Sequence, residues 1–460
     1  MDYSAEEKQN IFIERTKREY PREWSFYEEL ISHEKFTADE MAAYNFSKRQ
    51  EIVRYAYENT KFYREYYDAH GFRPDDLKTE DDWCRIPCIG KQTIKENFAD
   101  MVVGGPDGEF AKKRGKPDTT GGSTAEPTTI YKDYYGDHYA ATMWRARGWW
   151  AGRKLGELVG PVPVIGQNEG FITRAQKTEE EITAENDLYF PTHRMHMPAQ
   201  DMSDENIRAF VDNIRKYKPK YLSSYTGALV EFASYCTKHH LDVHIENCIG
   251  FACVLTPAHR RVIKEGLHCN IFDNYGALEA FCMALQGEAD DPNLYVQSDI
   301  RHLDILDDQY QPVKDGETGC VYLTSLTNKV MPFIKFDLGD RTRWINDDKA
   351  ILPFPRIAPI EGRQSMVLHD NNGGVFFPVL VLGQNYVSEA LDMYQCIEHR
   401  PGEVTLLMVP NKQNPIRTDL IERIKHDFES NFGHRANFRF EIVDSIAHTQ
   451  GKLHTIIYEK

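Results

Sequence analysis

From about Gly160 onward, short apolar runs alternate with longer stretches in which apolar residues recur every three or four positions. The runs are VGPVPVIG, PKYLSSY, CIGFACVL and NIFDNYG; the helical stretches are SDENIRAFVDNIRKY, GALVEFASYCTKHH and PAHRRVIKEG. Strands alternating with helices predict a mainly parallel, layered α/β sheet. Upstream, RYAYENTKFYREYYDAHG carries Tyr55, Phe62 and Tyr66 at helical spacing until Gly71 breaks the pattern, which predicts a helical entry segment. After Gly316 the text turns β-rich: GCVYLTSL and PFIKFDLGDRTRWI, separated by turn residues, predict a small barrel-like or antiparallel subdomain.

Beyond Arg363 the pattern changes again. Strand EVTLLMVP precedes DLIERIKHDFESNF, whose Leu420, Ile421, Ile424, Phe428 and Phe432 share one helical face, and strand FRFEIVD follows. A chain of 460 residues exceeds one ordinary core. The predicted architecture is therefore α/β, with a large layered N-terminal domain of mixed sheets and helices over 1–363. A small C-terminal α+β domain follows over 364–460.

Composition adds exclusions. The longest apolar run, Gly374 to Gly383, is about half of what a bilayer-spanning helix needs. The segment MDYSAEEKQN is acidic and lacks the apolar core of a secretory signal, and nine cysteines show no disulfide framework, so a cytoplasmic chain with free thiols is expected. A net charge of -16 argues against a nucleic-acid partner, because phosphate binding needs a basic face. Any polyanionic small molecule must be held by a local site.

Thr119 to Thr128, TTGGSTAEPT, offers such a site. Adjacent Gly121 and Gly122 let backbone amides approach an anion, and the hydroxyls of Thr120, Ser123 and Thr124 add donors. Alone, the same residues are ordinary turn chemistry. In DNYGALE, Asn274, Tyr275, Gly276, Ala277 and Glu279 sit at a strand end, where open α/β sheets place ligands; Glu279 can face a metal or be a solvated charge. Asp340, expected after a tight Gly339 turn, can accept from two ribose hydroxyls, and Arg363 in IEGRQS has a donor fork suited to ribose or phosphate. Lys452 lies in HTQGKLHT, a C-terminal loop before a short strand. Trp149, Trp150, Tyr225 and Phe251 could clasp a planar acid or be core, and His193 and His196 have no spacing that assigns a role. Cys248, Cys253, Cys269 and Cys282 with His259 and His268 cluster in sequence but lack a CxxC pair, so zinc is not predicted.

The order of these elements resembles the AMP-forming adenylating superfamily of acyl-CoA synthetases, adenylation domains and luciferases, in its phenylacetate-CoA ligase branch. The likeness runs through RIPCIGKQTIKEN, YLSSYTGAL, LTPAHRRVIKEG, DNYGALEA and SLTNKVMPFIKFDLGD to GKLHTI. It implies that the loop from Thr120 to Thr128 holds ATP phosphates, with Thr124 near the β and γ groups. Glu279 would coordinate Mg2+, Asn274, Tyr275 and Gly276 would border adenine, Asp340 would hold the ribose, and Arg363 would contact ribose or phosphate. Tyr225, Phe251, Ala277 and Trp149 would line the acid, and Lys452 would enter and leave as a mobile small domain rotates. Three departures stand out: Ala125 and Glu126 occupy positions where glycine and lysine are usual, Cys253-Val254 stands where many relatives have a glutamate, and Gln364-Ser365-Met366 follows the GR motif in place of a more acidic hinge.

The implied activity is ligation of a carboxylic acid, aryl or arylacetic by the branch, to coenzyme A through an acyl-adenylate. An amine, carrier-protein or hydroxyl acceptor, and a non-catalytic nucleotide-binding relative, remain alternatives. A homodimer is compatible with the sequence.

Overall fold

Thr60 divides the N-terminal aromatic segment that the sequence pattern treats as one helical stretch. Its hydroxyl donates to Ala56 O (2.8 Å) at the end of helix Ala38–Asn59 and accepts from Tyr63 N (3.2 Å) at the start of helix Lys61–Ala69. The second helix therefore buries Phe62, Tyr63 and Tyr67, while Tyr66 is half-buried. The computed structural model describes residues 5–119, 128–133, 136, 138–150, 164–166, 196–198, 203–219, 221–251, 255, 257–363, 368–371, 375–376, 378–382, 385–410, 417–433, 435–444, 446 and 456–459. Two units emerge. Met1–Pro117, Ile130–Leu338 and Thr342–Pro359 form the first; Asp118–Thr129, Gly339–Arg341 and Ile360–Lys460 form the second.

The first unit is built on a sheet of nine strands among the described residues. Five are parallel, in the spatial order His196–Pro198, Val164–Gly166, Tyr221–Tyr225, Asn247–Phe251 and Asn270–Tyr275. Helices Thr226–Lys238 and Pro257–Leu267 make two of the crossovers. After Tyr275 the chain turns back within a few residues, too short for a crossover, so Ala284–Glu288 and Asp291–Val296 add as antiparallel strands. Arg356–Ile357 and Trp344–Ile345 complete the edge, also antiparallel. The sheet is thus mixed, and less parallel than the alternation of strands and helices suggests.

Side chains alternate between the faces of this sheet, as strand geometry requires. Leu222, Cys248 and Ile271 pack against Phe232, Ala233, Ile263 and Leu267 of the crossover helices. Tyr221, Ile249 and Phe272 pack on the other face with Met41, Ala146, Trp149 and Phe354. The crossover helices approach so closely that a Cβ on Gly266 would stand 2.4 Å from Ala233 O. A second sheet pairs Arg301–Leu306 antiparallel with Gly319–Ser325, next to Phe336–Thr342.

Buried polar side chains tie the N-terminal helices to the strands that begin near residue 300. Arg145 forms an ion pair with Asp299, whose second neighbour is His33 Nδ1 (3.2 Å). Asn45 donates to Ser298 O (2.6 Å) and accepts from Arg49 Nε (2.9 Å). Trp83 Nε1 donates to Asp304 Oδ1 (2.9 Å). The adjacent cation of Arg145 holds Asp299 down at about 2 against the upward push of burial.

The second unit carries a four-stranded sheet in the order Asn437–Ile442, Glu403–Pro410, Leu391–Arg400 and Ile456–Tyr458. Helix Thr418–Phe432 buries Leu420, Ile421, Ile424, Phe428 and Phe432, the face marked by its sequence periodicity. They pack with Cys396, Val404, Leu406 and Met408 of the sheet. No helix among the described residues is long and apolar enough to cross a membrane.

Candidate active site

In a parallel sheet, residues in register on neighbouring strands project to the same face. Tyr225 is in register with Phe251, and Phe251 with Asn274, so these three form one row at the carboxyl ends of three adjacent strands. The rings of Tyr225 and Phe251 are 4.9 Å apart and tilted by 54°. Asn274 is only 8% exposed, yet its carboxamide Oδ1 has no hydrogen-bond partner among the described residues. Such an oxygen costs about 1–3 kcal/mol unless something supplies a donor. The row thus combines an apolar wall with an unmet polar requirement, the two features that ligand pockets share.

One residue back, the row Ser224, Gly250 and Asp273 points the opposite way. A Cβ on Gly250 would meet Thr226 Oγ1 at 2.8 Å, so the strand can pass this close to the helix start only with glycine there. Asp273 N donates to Gln286 Oε1 (3.1 Å), and Arg260 Nη2 donates to the same oxygen (2.9 Å). Burial pushes the Asp273 carboxyl up to about 6, even though Arg260 and the Asn274 amide favour its charge.

The turn after Tyr275 is set by Gly276, where a Cβ would stand 3.0 Å from Cys282 N. Ala277 N donates to Ala280 O (3.2 Å), and Met283 N returns to Tyr275 O (2.8 Å). Tyr275 and Glu279 are buried within this turn, Ala277 is half-buried and Gly276 is exposed. DNYGALE thus does stand at a strand end.

Other expected residues fall elsewhere. Trp149 is 1% exposed, donates to Glu34 Oε1 (2.7 Å) and packs near Tyr295 and Phe354, so it is a core side chain rather than part of the strand-end row. Its helix, Tyr139–Trp150, turns this ring inward. In the second unit Asp340 pairs in antiparallel register with Arg363. Gly339 has φ +74°, but it lies inside strand Phe336–Thr342 and not in a tight turn; glycine there allows a left-handed kink within a continuing strand.

Thr120, Gly121, Gly122, Ser123, Thr124, Ala125 and Glu126 lie outside the described residues, as do His193, Cys253, Val254 and Lys452. The same holds for the side chains of Trp150, His196 and Arg363. Cys248 and Cys269 adjoin on one sheet face, whereas Cys282 packs on the other; no group of three possible metal ligands occurs among the described residues.

Asp133, which carries no motif, and Asn328, inside SLTNKVMPFIKFDLGD, brace the strand Thr129–Asp133. Asp133 is fully buried and accepts from Arg114 Nη2 (2.7 Å), Gly136 N (2.7 Å) and Lys329 N (3.0 Å). Asn328 donates to Tyr131 O (3.1 Å) and accepts from Val330 N and Met331 N. They fix strand Thr129–Asp133, which leaves the glycine-rich loop, against the segment at 325–331.

No family model matches the chain. It is similar to the phenylacetate-coenzyme A ligase of Aromatoleum evansii, with 24% identity over 343 residues, 73% of each chain. It is also similar to the phenylacetate-coenzyme A ligase of Escherichia coli (strain K12), with 23% identity over 443 residues, 90% of this chain and 94% of that one. A solved structure of 2-hydroxyisobutyryl-CoA ligase in the postadenylation state superposes with a TM-score of 0.65 at 18% identity, covering 93% of this chain and 91% of that one. The chain has the fold of the AMP-forming adenylating ligases. Along the sequence the motifs TTGGSTAEPT, DNYGALE, DLGD, EGR and GK follow in the order that the resemblance implies. The shared fold covers nearly the whole chain.

Proposed function

We propose that this chain is an AMP-forming ligase that activates a carboxylic acid with ATP and transfers the acyl group to coenzyme A. The observation that carries the reading is the Tyr225–Phe251–Asn274 row at the carboxyl ends of parallel strands, with Asn274 inside DNYGALE, in a chain with the adenylating fold. In the first step the acid's carboxylate attacks the α-phosphorus of ATP and pyrophosphate leaves. In the second the thiol of coenzyme A attacks the acyl carbon and AMP leaves. Positioning and charge neutralisation supply most of the rate.

Residues 1–363 act as the adenylation domain and 364–460 as a lid. Amides and hydroxyls from Thr120 to Thr124 hold the phosphates, Tyr275, Gly276 and the Asn274 backbone border adenine, and Asp340 with Arg363 hold the ribose side. Lys452 offsets charge at the reacting phosphate when the lid closes. Tyr225, Phe251 and Ala277 line the acid. The buried Glu279 would hold a magnesium ion, since one or two carboxylates are the usual protein share beside substrate phosphates. When bound, that ion supplies charge neutralisation on the phosphates. All the cysteines described are free thiols, in keeping with a cytoplasmic enzyme.

The test is acid-dependent pyrophosphate release across a panel of carboxylic acids, followed by mass spectrometry of the products with and without coenzyme A. An acyl-CoA product appearing only with the thiol is expected. Release of pyrophosphate with no acid in a broad panel would refute the ligase reading.

A further inference from the structure

Among the groups at the strand ends, the carboxamide of Asn274 stands out chemically: it is more than nine-tenths buried and its Oδ1 is unpaired among the described residues. Its neighbours decide which ligand it can address. Register places Asn274 beside Phe251, whose ring stands next to that of Tyr225, whereas Asp273 and Tyr275, one residue to either side of Asn274, project to the opposite face. Two aromatic rings 4.9 Å apart give this face an apolar wall, and Asn274 adds one fixed acceptor at its end.

We infer that Asn274 is a specificity-determining residue that selects carboxylic acids bearing a hydrogen-bond donor, a hydroxyl or amine, on an otherwise apolar body. This rests on the ligase reading and on Tyr225 and Phe251 facing the acid. An acid without the donor fills the same wall but leaves Oδ1 dry and unpaired, so discrimination comes from the penalty against the plain acid as much as from the new bond. In this reading the backbone of Asn274 borders the nucleotide and its side chain serves the acid.

The experiment compares benzoate with 2-, 3- and 4-hydroxybenzoate and 2-, 3- and 4-aminobenzoate, and phenylacetate with its ring-hydroxylated isomers and mandelate, by pyrophosphate release on the full chain. At least one donor-bearing acid is expected to exceed its parent in kcat/KM by about 10- to 100-fold. In Asn274→Leu that ratio collapses toward one, while Asn274→Gln, which keeps the acceptor, restores part of it. A ratio normalises for any loss of folded protein. Parent acids used as well as every donor-bearing isomer, or an Asn274→Leu variant that keeps the ratio and raises only KM for ATP, overturn this inference and leave the ligase standing. No release with any acid overturns both.

Discussion

Replacing Asp273 by asparagine should stabilise the protein at neutral pH and do so less in acid. Asp273 is a carboxyl at a strand end, 8% exposed, with its ionisation moved from 3.8 to about 6 chiefly by burial. A raised carboxyl binds its proton more tightly in the folded state than in the unfolded one, so folding stability falls as pH rises from about 4 to 6 and stays low above that. The shift of about 2 units corresponds to roughly 3 kcal/mol of cost for holding the charge at pH 7.5. At pH 4.5, where the folded group is mostly protonated, the same two ionisation points leave only about 1 kcal/mol. Asparagine has a similar shape and can still accept from the Asn274 amide, but it carries no charge to desolvate. Denaturant unfolding of the wild type and Asp273→Asn, followed by tryptophan fluorescence, should show a stability difference in favour of the variant that grows by about 2 kcal/mol from pH 4.5 to 7.5. Two curves that stay parallel across that range, or a variant that is weaker at pH 7.5, would show that Arg260 compensates the charge and that the burial argument is wrong.

Further outcomes follow from the same geometry. Arg145→Met removes the cation that holds Asp299 at about 2, so the variant should lose about 3–5 kcal/mol and unfold at higher pH than the wild type in an acid titration. The sign is that of a depressed carboxyl, whose stabilisation is present above about 4 and is lost as pH falls toward 2; equal acid midpoints would contradict it. Gly266→Ala drives a methyl to 2.4 Å from Ala233 O, and overpacking of about 1–3 kcal/mol should outweigh the helix-propensity gain of about 1 kcal/mol. A higher melting temperature would mean the helices can part freely. Lys452→Ala should cut acid-dependent pyrophosphate release by about 10²–10³-fold at unchanged melting temperature, and unaltered release would remove Lys452 from the chemistry.

What the sequence made legible was periodic or punctuated. Ile421, Ile424, Phe428 and Phe432 follow at steps of three or four and Leu420 lies four before Ile424, so the five read as one face, and they are buried together. Tyr225, Phe251 and DNYGALE were found because apolar runs end there. Their register was not legible, since nothing in the spacing says which residue of one strand stands beside which of the next. Trp149 was a candidate wall for the acid because it is an aromatic near the predicted strands, with core as the alternative, and its helix turns it into the core. Gly339 signalled a turn by its identity, while its flanking strand pairing kept the chain extended. Asp133 gave no signal: one of its three partners, Lys329, is 196 residues away.

The buried polar ties between the N-terminal helices and the strands near residue 300 also set a timetable for synthesis. Asn45 meets Ser298 across 253 residues, and His33 meets Asp299 across 266. At about 5–20 residues per second, the first of these partners leaves the ribosome roughly 13–50 s after Asn45 itself. Through that interval the helices carry polar side chains shaped for burial with nothing to pair with, and the aromatic rings between them have no sheet to cover. These helices, made long before their partners, are therefore among the last parts to be finished, and they are where a chaperone would find its longest opportunity.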